Sequence, residues 1–182
     1  EILDPYPDSK KRFDEAVAQW EKEAAELARD GKKPTRNRPW GIWRPSELYN
    51  GMIAPITRFR VRGAIWYQGE SNAGRAQQYR SLFADMIRNW RRDWGYDLAF
   101  LSVQLAPFKA IKPEPGESDW AELREAQLLS TEVLPKVGMA VITDVGEQND
   151  IHPRKKEPVG ARLALAARAI AYGEDIAYSG PV

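Results

Sequence analysis

The 182-residue chain contains no cysteine and one histidine. Without thiols it can build no disulfide framework, no cysteine nucleophile and no thiolate zinc site. A single imidazole also excludes a catalytic zinc centre of the His₃ or His₂Glu kind. Calcium and magnesium need only carboxylates and carbonyls, but no EF-hand-like loop occurs. Neither a metal nor another cofactor is therefore expected. Any imidazole acid–base chemistry must fall to His152. An excess of one charge is also missing: 27 Lys and Arg against 26 Asp and Glu leave +1, so no global field draws nucleic acid or an anionic membrane. No apolar run approaches the roughly 20 residues that span a bilayer. The chain starts with Glu1 rather than Met and carries no signal-peptide pattern, and so reads as a processed or excised piece. Cysteine absence fits any compartment.

What is present is a folding sequence. An apolar share of 43% with seven tryptophans argues against disorder, and the length suits one domain with a sizeable core. From Ser9 to Asp30, Phe13, Val17, Trp20, Ala24 and Leu27 recur at spacings of three and four, which predicts an amphipathic helix stopping before Gly31. The basic, proline-punctuated stretch from Gly31 to Pro45 has no periodicity and reads as a solvated loop rather than a polyanion site. The chain then alternates. Strands are predicted at 62–68, 99–105 and 138–143. Between them a helix carries Tyr79, Phe83, Met86, Trp90 and Trp94 to a stop at Gly95, and another starts at a capping box of Asp119 and Glu122, with Trp120, Leu123 and Gln127 following. A last helix runs over 157–172 with Val159, Leu163, Ala167 and Ile170 inward. Such alternation implies parallel βαβ units. Three strands are few for a sheet of this kind, and the domain is expected to be incomplete in this chain.

Ligands of open α/β sheets bind beyond the carboxyl ends of the strands. Two unusually polar loops leave that end, 69–75 and 144–153, and can converge although distant in sequence. The second holds Asp144, Glu147, Asp150 and His152. In Asp150-x-His152 a carboxylate from the same loop can reach the imidazole Nδ1–H, orienting the ring for base catalysis; a structural histidine is the competing reading. The first loop imitates a phosphate-binding P-loop through Gly69 and Gly74, but Arg75 and Ala76 stand where lysine and a hydroxyl are needed, which excludes it. Gly69-Glu70-Ser71-Asn72-Ala73 also approximates a nucleophile elbow, with Ser71 as nucleophile. Alternatively the loop forms an oxyanion-stabilising wall of backbone N–H groups with the amides of Gln68 and Asn72, or a polar turn capped by Ser71 or Asn72. Spacing leaves these open. Trp20, Trp90 and Trp94 lie at core spacing, whereas Trp40 and Trp43, on the irregular loop, are freer to meet a sugar ring.

The blocks NGMIAPI (50–56), RGAIWYQGESNA (62–73), WRRDWG (90–95), FLSVQLAPF (100–108), LREAQ (123–127), GMAVITDVGEQNDIHP (138–153) and VGARLALAA (159–167) occur in one order and resemble the sialate O-acetylesterase family of SGNH-type esterases. The resemblance implies a three-layer α/β/α flavodoxin-like domain with a parallel sheet. It implies serine esterase activity removing acetyl groups from sugar hydroxyls, of sialate or polysaccharide, without a metal or cofactor. Carried over by position, it makes His152 the general base and Asp150 its orienting partner. Gln68, Gly69, Glu70 and Asn72 become active-site wall, and Asn50 and Gly51 lie near the site. The family's nucleophile belongs to a GQSN block absent here, so an upstream segment or another chain is expected to supply the serine, with Ser71 as the alternative. Residues 1–45 then read as a helix-and-loop insertion and 46–182 as the C-terminal part of the esterase domain. The family's setting implies a periplasmic, secreted or lysosomal location. An acetylated sugar is the expected partner, with no nucleic acid or membrane. The competing functional reading is a non-catalytic carbohydrate-binding remnant or a fragment inactive without its nucleophile.

Overall fold

The computed structural model of the chain describes residues 6–41 and 45–180. The chain divides into two compact units, Glu1–Thr57 and Arg58–Val182. In the first unit, helix α1 (Tyr6–Arg29) starts slightly before the predicted helix. The basic stretch after it is tied down by α1's own carboxylates. Arg36 pairs with Glu23 at 2.5 Å and Arg38 with Glu21 at 2.8 Å, while the Trp20 indole N–H donates to the Arg36 carbonyl. Arg36 and Arg38 thus satisfy local acids. Trp40 is 80% exposed, and Trp43 lies outside the described residues. A π-helical turn (Tyr49–Ile53) and a 3₁₀ turn (Ala54–Ile56) close this unit.

The second unit is built on three parallel strands, β1 (Gly63–Trp66), β2 (Ala99–Val103) and β3 (Val137–Ala140), in the spatial order β1-β2-β3. They are shorter than the predicted strands, and the residues trimmed from their carboxyl ends become the loops there. Trp66 pairs with Ser102 and Val103 with Ala140 where the ladders stop. Strand β2 is buried along its whole length, as a central strand covered on both faces must be.

Alternation along β2 separates two cores. Phe100 joins Ala64, Trp66 and Val137 beneath helices α2 (Ala76–Trp94) and α3 (Asp119–Val133). Leu101 and Val103 join Ala140 beneath helix α4 (Glu157–Ala166), whose Val159, Leu163 and Ala166 face the sheet. The result is a three-layer α/β/α arrangement. On the α4 side of β1, Ile65 is 67% exposed.

Helix α2 buries Tyr79, Phe83 and Ile87 at i, i+4 and i+8. It ends where Gly95 adopts φ 77° and donates to the carbonyls of Arg91 and Arg92, a left-handed cap that glycine accepts at little cost. The start of α3 differs from the capping box read from sequence. The cap is Ser118, whose side chain accepts from the Ala121 N–H, because Ser118 has extended dihedrals while Asp119 is already helical. The last helix gives way after Ala166 to a π-turn, Ala167–Ala171, and Gly138 leaves room for Ile170 of that turn against β3.

Candidate active site

Three loops leave the carboxyl ends of the strands, and each is anchored by bonds that run toward the interior. Beyond β1, Gly69 is buried with φ 147° and ψ −12°. An added Cβ would lie 3.0 Å from a Leu123 methyl and 3.2 Å from Gln127 Nε2. Both conformation and space therefore demand glycine. The Asn72 N–H donates to the Gly69 carbonyl at 2.8 Å, starting a 3₁₀ turn over Glu70–Arg75.

Above that turn the side chains form a chain of hydrogen bonds. The Trp66 indole N–H donates to the Tyr79 hydroxyl (3.4 Å), which donates to Gln68 Oε1 (3.1 Å), and Gln68 Nε2 donates to Asn72 Oδ1 (2.8 Å). Burial, chiefly, pushes the Tyr79 phenol up to about 12, so it stays a donor throughout the physiological range. With Asn72 Oδ1 occupied, the amide –NH₂ of Asn72 is the group left to meet a ligand.

The loop after β2 is held by α3. Trp120 Nε1 donates to the Ala106 carbonyl at 2.8 Å, and Arg124 Nε to the Leu105 carbonyl at 2.9 Å. The Leu105 N–H donates to Gln127 Oε1 at 3.0 Å. This loop also carries the next one: Lys109 donates its main-chain N–H to the Gln148 carbonyl at 3.0 Å. A Cβ on Gly146 would lie only 2.3 Å from the Pro107 carbonyl oxygen, so the two backbones meet at a point where only glycine fits.

In the loop after β3, Ile151 packs into the core beneath α2 and α3, Pro153 is buried, and His152 between them is exposed. The two anchors hold the imidazole outward. Asp150 Oδ1 accepts the main-chain N–H of His152 at 2.9 Å, and Asp150 Oδ2 lies 3.6 Å from Arg154 Nε. The expected carboxylate-to-ring bond is thus replaced by an Asx-type turn, in which a carboxylate two residues back meets the backbone first. Asp144 is occupied elsewhere, held by the two terminal guanidinium nitrogens of Arg162 at 2.5 and 2.7 Å.

Of the residues singled out from sequence, Gln68, Gly69 and Asn72 fall into one network. Glu70 lies close enough to raise the phenols of Tyr67 and Tyr79 by its charge, after burial as the main cause at each. Ser71 is exposed inside the 3₁₀ turn, and the strained position of that turn is Gly69. The loops after β1 and β3 are joined by Lys156, whose ammonium sits 4.8 Å from the Tyr67 ring centroid, a cation–π contact. Asn50 and Gly51 belong to the first unit. Sequence reading assigned no site role to Tyr79, Lys156 or Gln127. Tyr79 and Gln127 were visible only as members of apolar helix faces, where a polar group needs a buried partner. Among the described residues no group of three or more His, Asp and Glu side chains is placed to hold a metal ion, and no helix is long and apolar enough to cross a membrane.

A family model described as "carbohydrate esterase, sialic acid-specific acetylesterase" matches residues 16–169. The chain is 32% identical to the sialate O-acetylesterase of Mus musculus over 159 residues, covering 78% of this chain and 29% of that protein. It is 30% identical to the Homo sapiens sialate O-acetylesterase over 154 residues, covering 75% and 29% respectively. The chain thus spans under a third of the length of these relatives. Among solved structures it resembles a carbohydrate acetylesterase from Xanthomonas citri with a TM-score of 0.69 and 54% identity, over 74% of this chain and 32% of that one.

Proposed function

The chain belongs to the sialic acid-specific acetylesterase family of carbohydrate esterases, and from that premise we propose that it supplies the histidine and the oxyanion-stabilising wall of a site that removes acetyl groups from sugar hydroxyls. A serine hydroxyl attacks the acetyl carbonyl carbon while His152 accepts its proton. The tetrahedral intermediate collapses, and the sugar oxygen leaves with the proton returned by His152. Water then attacks the acetyl-serine, with His152 accepting one proton and passing it to the serine oxygen as acetate departs. The Gly69 N–H and the Asn72 side-chain amide are the donors for the oxyanion. Fixed donors outperform water there because no reorganisation is needed as charge develops. The attacking serine comes from a GQSN block outside these 182 residues, carried by another segment or chain, and Ser71 is the alternative. The substrate is an acetylated sugar, a sialate ester or an acetylated polysaccharide.

The observation carrying this reading is the placement of the only imidazole of the sequence. It is exposed at the carboxyl end of a parallel sheet, between buried Pro153 and core-packed Ile151, on a loop tied to the β1 exit through Lys156 and Tyr67. On p-nitrophenyl acetate, His152→Ala in the full-length protein is expected to lower kcat by about 10⁴- to 10⁶-fold, as loss of a triad base does. Turnover within a few-fold of the parent overturns the proposal. Ser71→Ala retains turnover in this mechanism, whereas its complete inactivity, together with an acyl label found on Ser71 of the parent, gives the nucleophile's role to Ser71.

A further inference from the structure

Helix α3 carries one polar side chain with no solvent exposure at all, Gln127 (0%). Its amide lies where the pairing of β1 with β2 has ended at Trp66 and Ser102, and it takes over groups the ladder no longer serves. Nε2 donates to the Gln68 carbonyl at 3.1 Å and stands 3.5 Å from the Val103 carbonyl, while Oε1 accepts the Leu105 N–H at 3.0 Å. One buried amide thus joins the exits of two neighbouring strands.

The consequence for the site follows from the peptide bond. A trans peptide unit is planar, with its C=O and N–H on opposite sides. Gln127 draws the Gln68 carbonyl toward α3, so the N–H of the same unit, that of Gly69, is turned away from α3. Among the described residues that N–H has no acceptor, although Gly69 is buried. Orphaned N–H groups in buried residues are rare and call for a reason. The same peptide carries the Gln68 side chain that holds Asn72. We infer that Gln127 is a positioning residue for ester hydrolysis, setting the Gln68–Gly69 peptide so that the Gly69 N–H and the Asn72 amide are aimed at the oxyanion. The inference rests on the esterase reading above. It adds a residue whose hydrogen bonds run to Gln68, Val103 and Leu105.

Two variants test it in the full-length protein on p-nitrophenyl acetate. Gln127→Met keeps the volume and removes both hydrogen-bonding functions. Its kcat should fall about 10- to 100-fold, less than outright loss of an oxyanion donor, with KM within about twofold because ground-state binding is untouched. Gln127→Glu keeps the shape and the acceptor for Leu105. Its carboxyl can replace the lost donor only when protonated, which burial beside two carbonyl oxygens favours. The ratio of variant to parent kcat should therefore rise as pH falls. A purely structural glutamine would lower thermal stability but leave kcat below the melting temperature and the pH profile unchanged. Folded Gln127→Met with kcat within twofold of the parent overturns the inference. If Gln127→Met does not fold, a Gln127→Glu enzyme with parental kcat and profile overturns it equally. His152→Ala run in parallel separates the two claims. An inactive His152→Ala with a fully active Gln127→Met sinks the positioning role alone. An active His152→Ala with an impaired Gln127→Met sinks the histidine mechanism and leaves the positioning role standing.

Discussion

Asp144 shows how the partners of a residue decide its role. Its carboxylate sits on the same loop as His152, yet Arg162 grips both of its oxygens, and hydrogen bonds from that guanidinium, chiefly, lower its pKa from the ordinary 3.8 to about 2. A carboxyl whose folded pKa is depressed contributes stability above its unfolded value, and that contribution disappears as pH falls through the folded one. The stability contributed by the Asp144–Arg162 pair is therefore expected to be present above about pH 4 and to be lost between about 4 and 2. A carboxyl-carbon NMR titration should place the Asp144 midpoint near 2, and a midpoint near 3.8 would show that the pair does not form in solution. The pair clasps the first residues of the loop to α4, since Arg162 also donates to the Val141 carbonyl at 2.7 Å. Asp144 is thus a tether for the loop, while Asp150 shapes the turn that presents His152.

At the scale of elements, α3 organises the candidate site through the loops it holds. Trp120, Arg124 and Gln127, at i, i+4 and i+7 on one helix face, bond in turn to Ala106, Leu105 and the Gln68–Leu105 pair. The helix grips the loop after β2 and the exit of β1 together, and the loop after β2 supports the histidine loop through Lys109 and Gly146. The first turn of α3 depends on Ser118, whose hydroxyl accepts from the Ala121 N–H. Replacing Ser118 with Ala is expected to cost about 1 kcal/mol of unfolding free energy, read as a lower urea midpoint at unchanged slope. An unaltered midpoint would mean that another group caps the helix. The position of this cap was missed from sequence by one residue, because Asp119 and Ser118 both suit the role and only the backbone dihedrals separate them. The strand ends were overextended for a related reason: apolar residues such as Tyr67 and Leu105 continue the pattern of β1 and β2 while already belonging to the loops that form the site.

For the whole unit, stability rests on a thin sheet filled from both faces. Phe100, fully buried in β2, has its ring 5.8 Å from those of Phe83 and Trp90 and 6.2 Å from that of Trp66. Phe100→Ala is expected to lose about 3–5 kcal/mol, a large part of the stability of a domain this size. Urea unfolding should show it, and a loss under about 1 kcal/mol would mean that the cavity collapses around the site. The order of elements, the α/β class, the stop at Gly95 and the histidine loop were all determined by the sequence alone, because periodicity and turn chemistry act between residues close in the chain. The family was legible for the same reason, in contiguous blocks such as QGESN and NDIHP. Tertiary structure alone decided which of those blocks touch. Gln127 reaches the Gln68 carbonyl across 59 positions, and Lys156 covers a tyrosine at position 67. Parallel strands bring such residues together only after distant helices have packed on the sheet, and no local pattern encodes that approach.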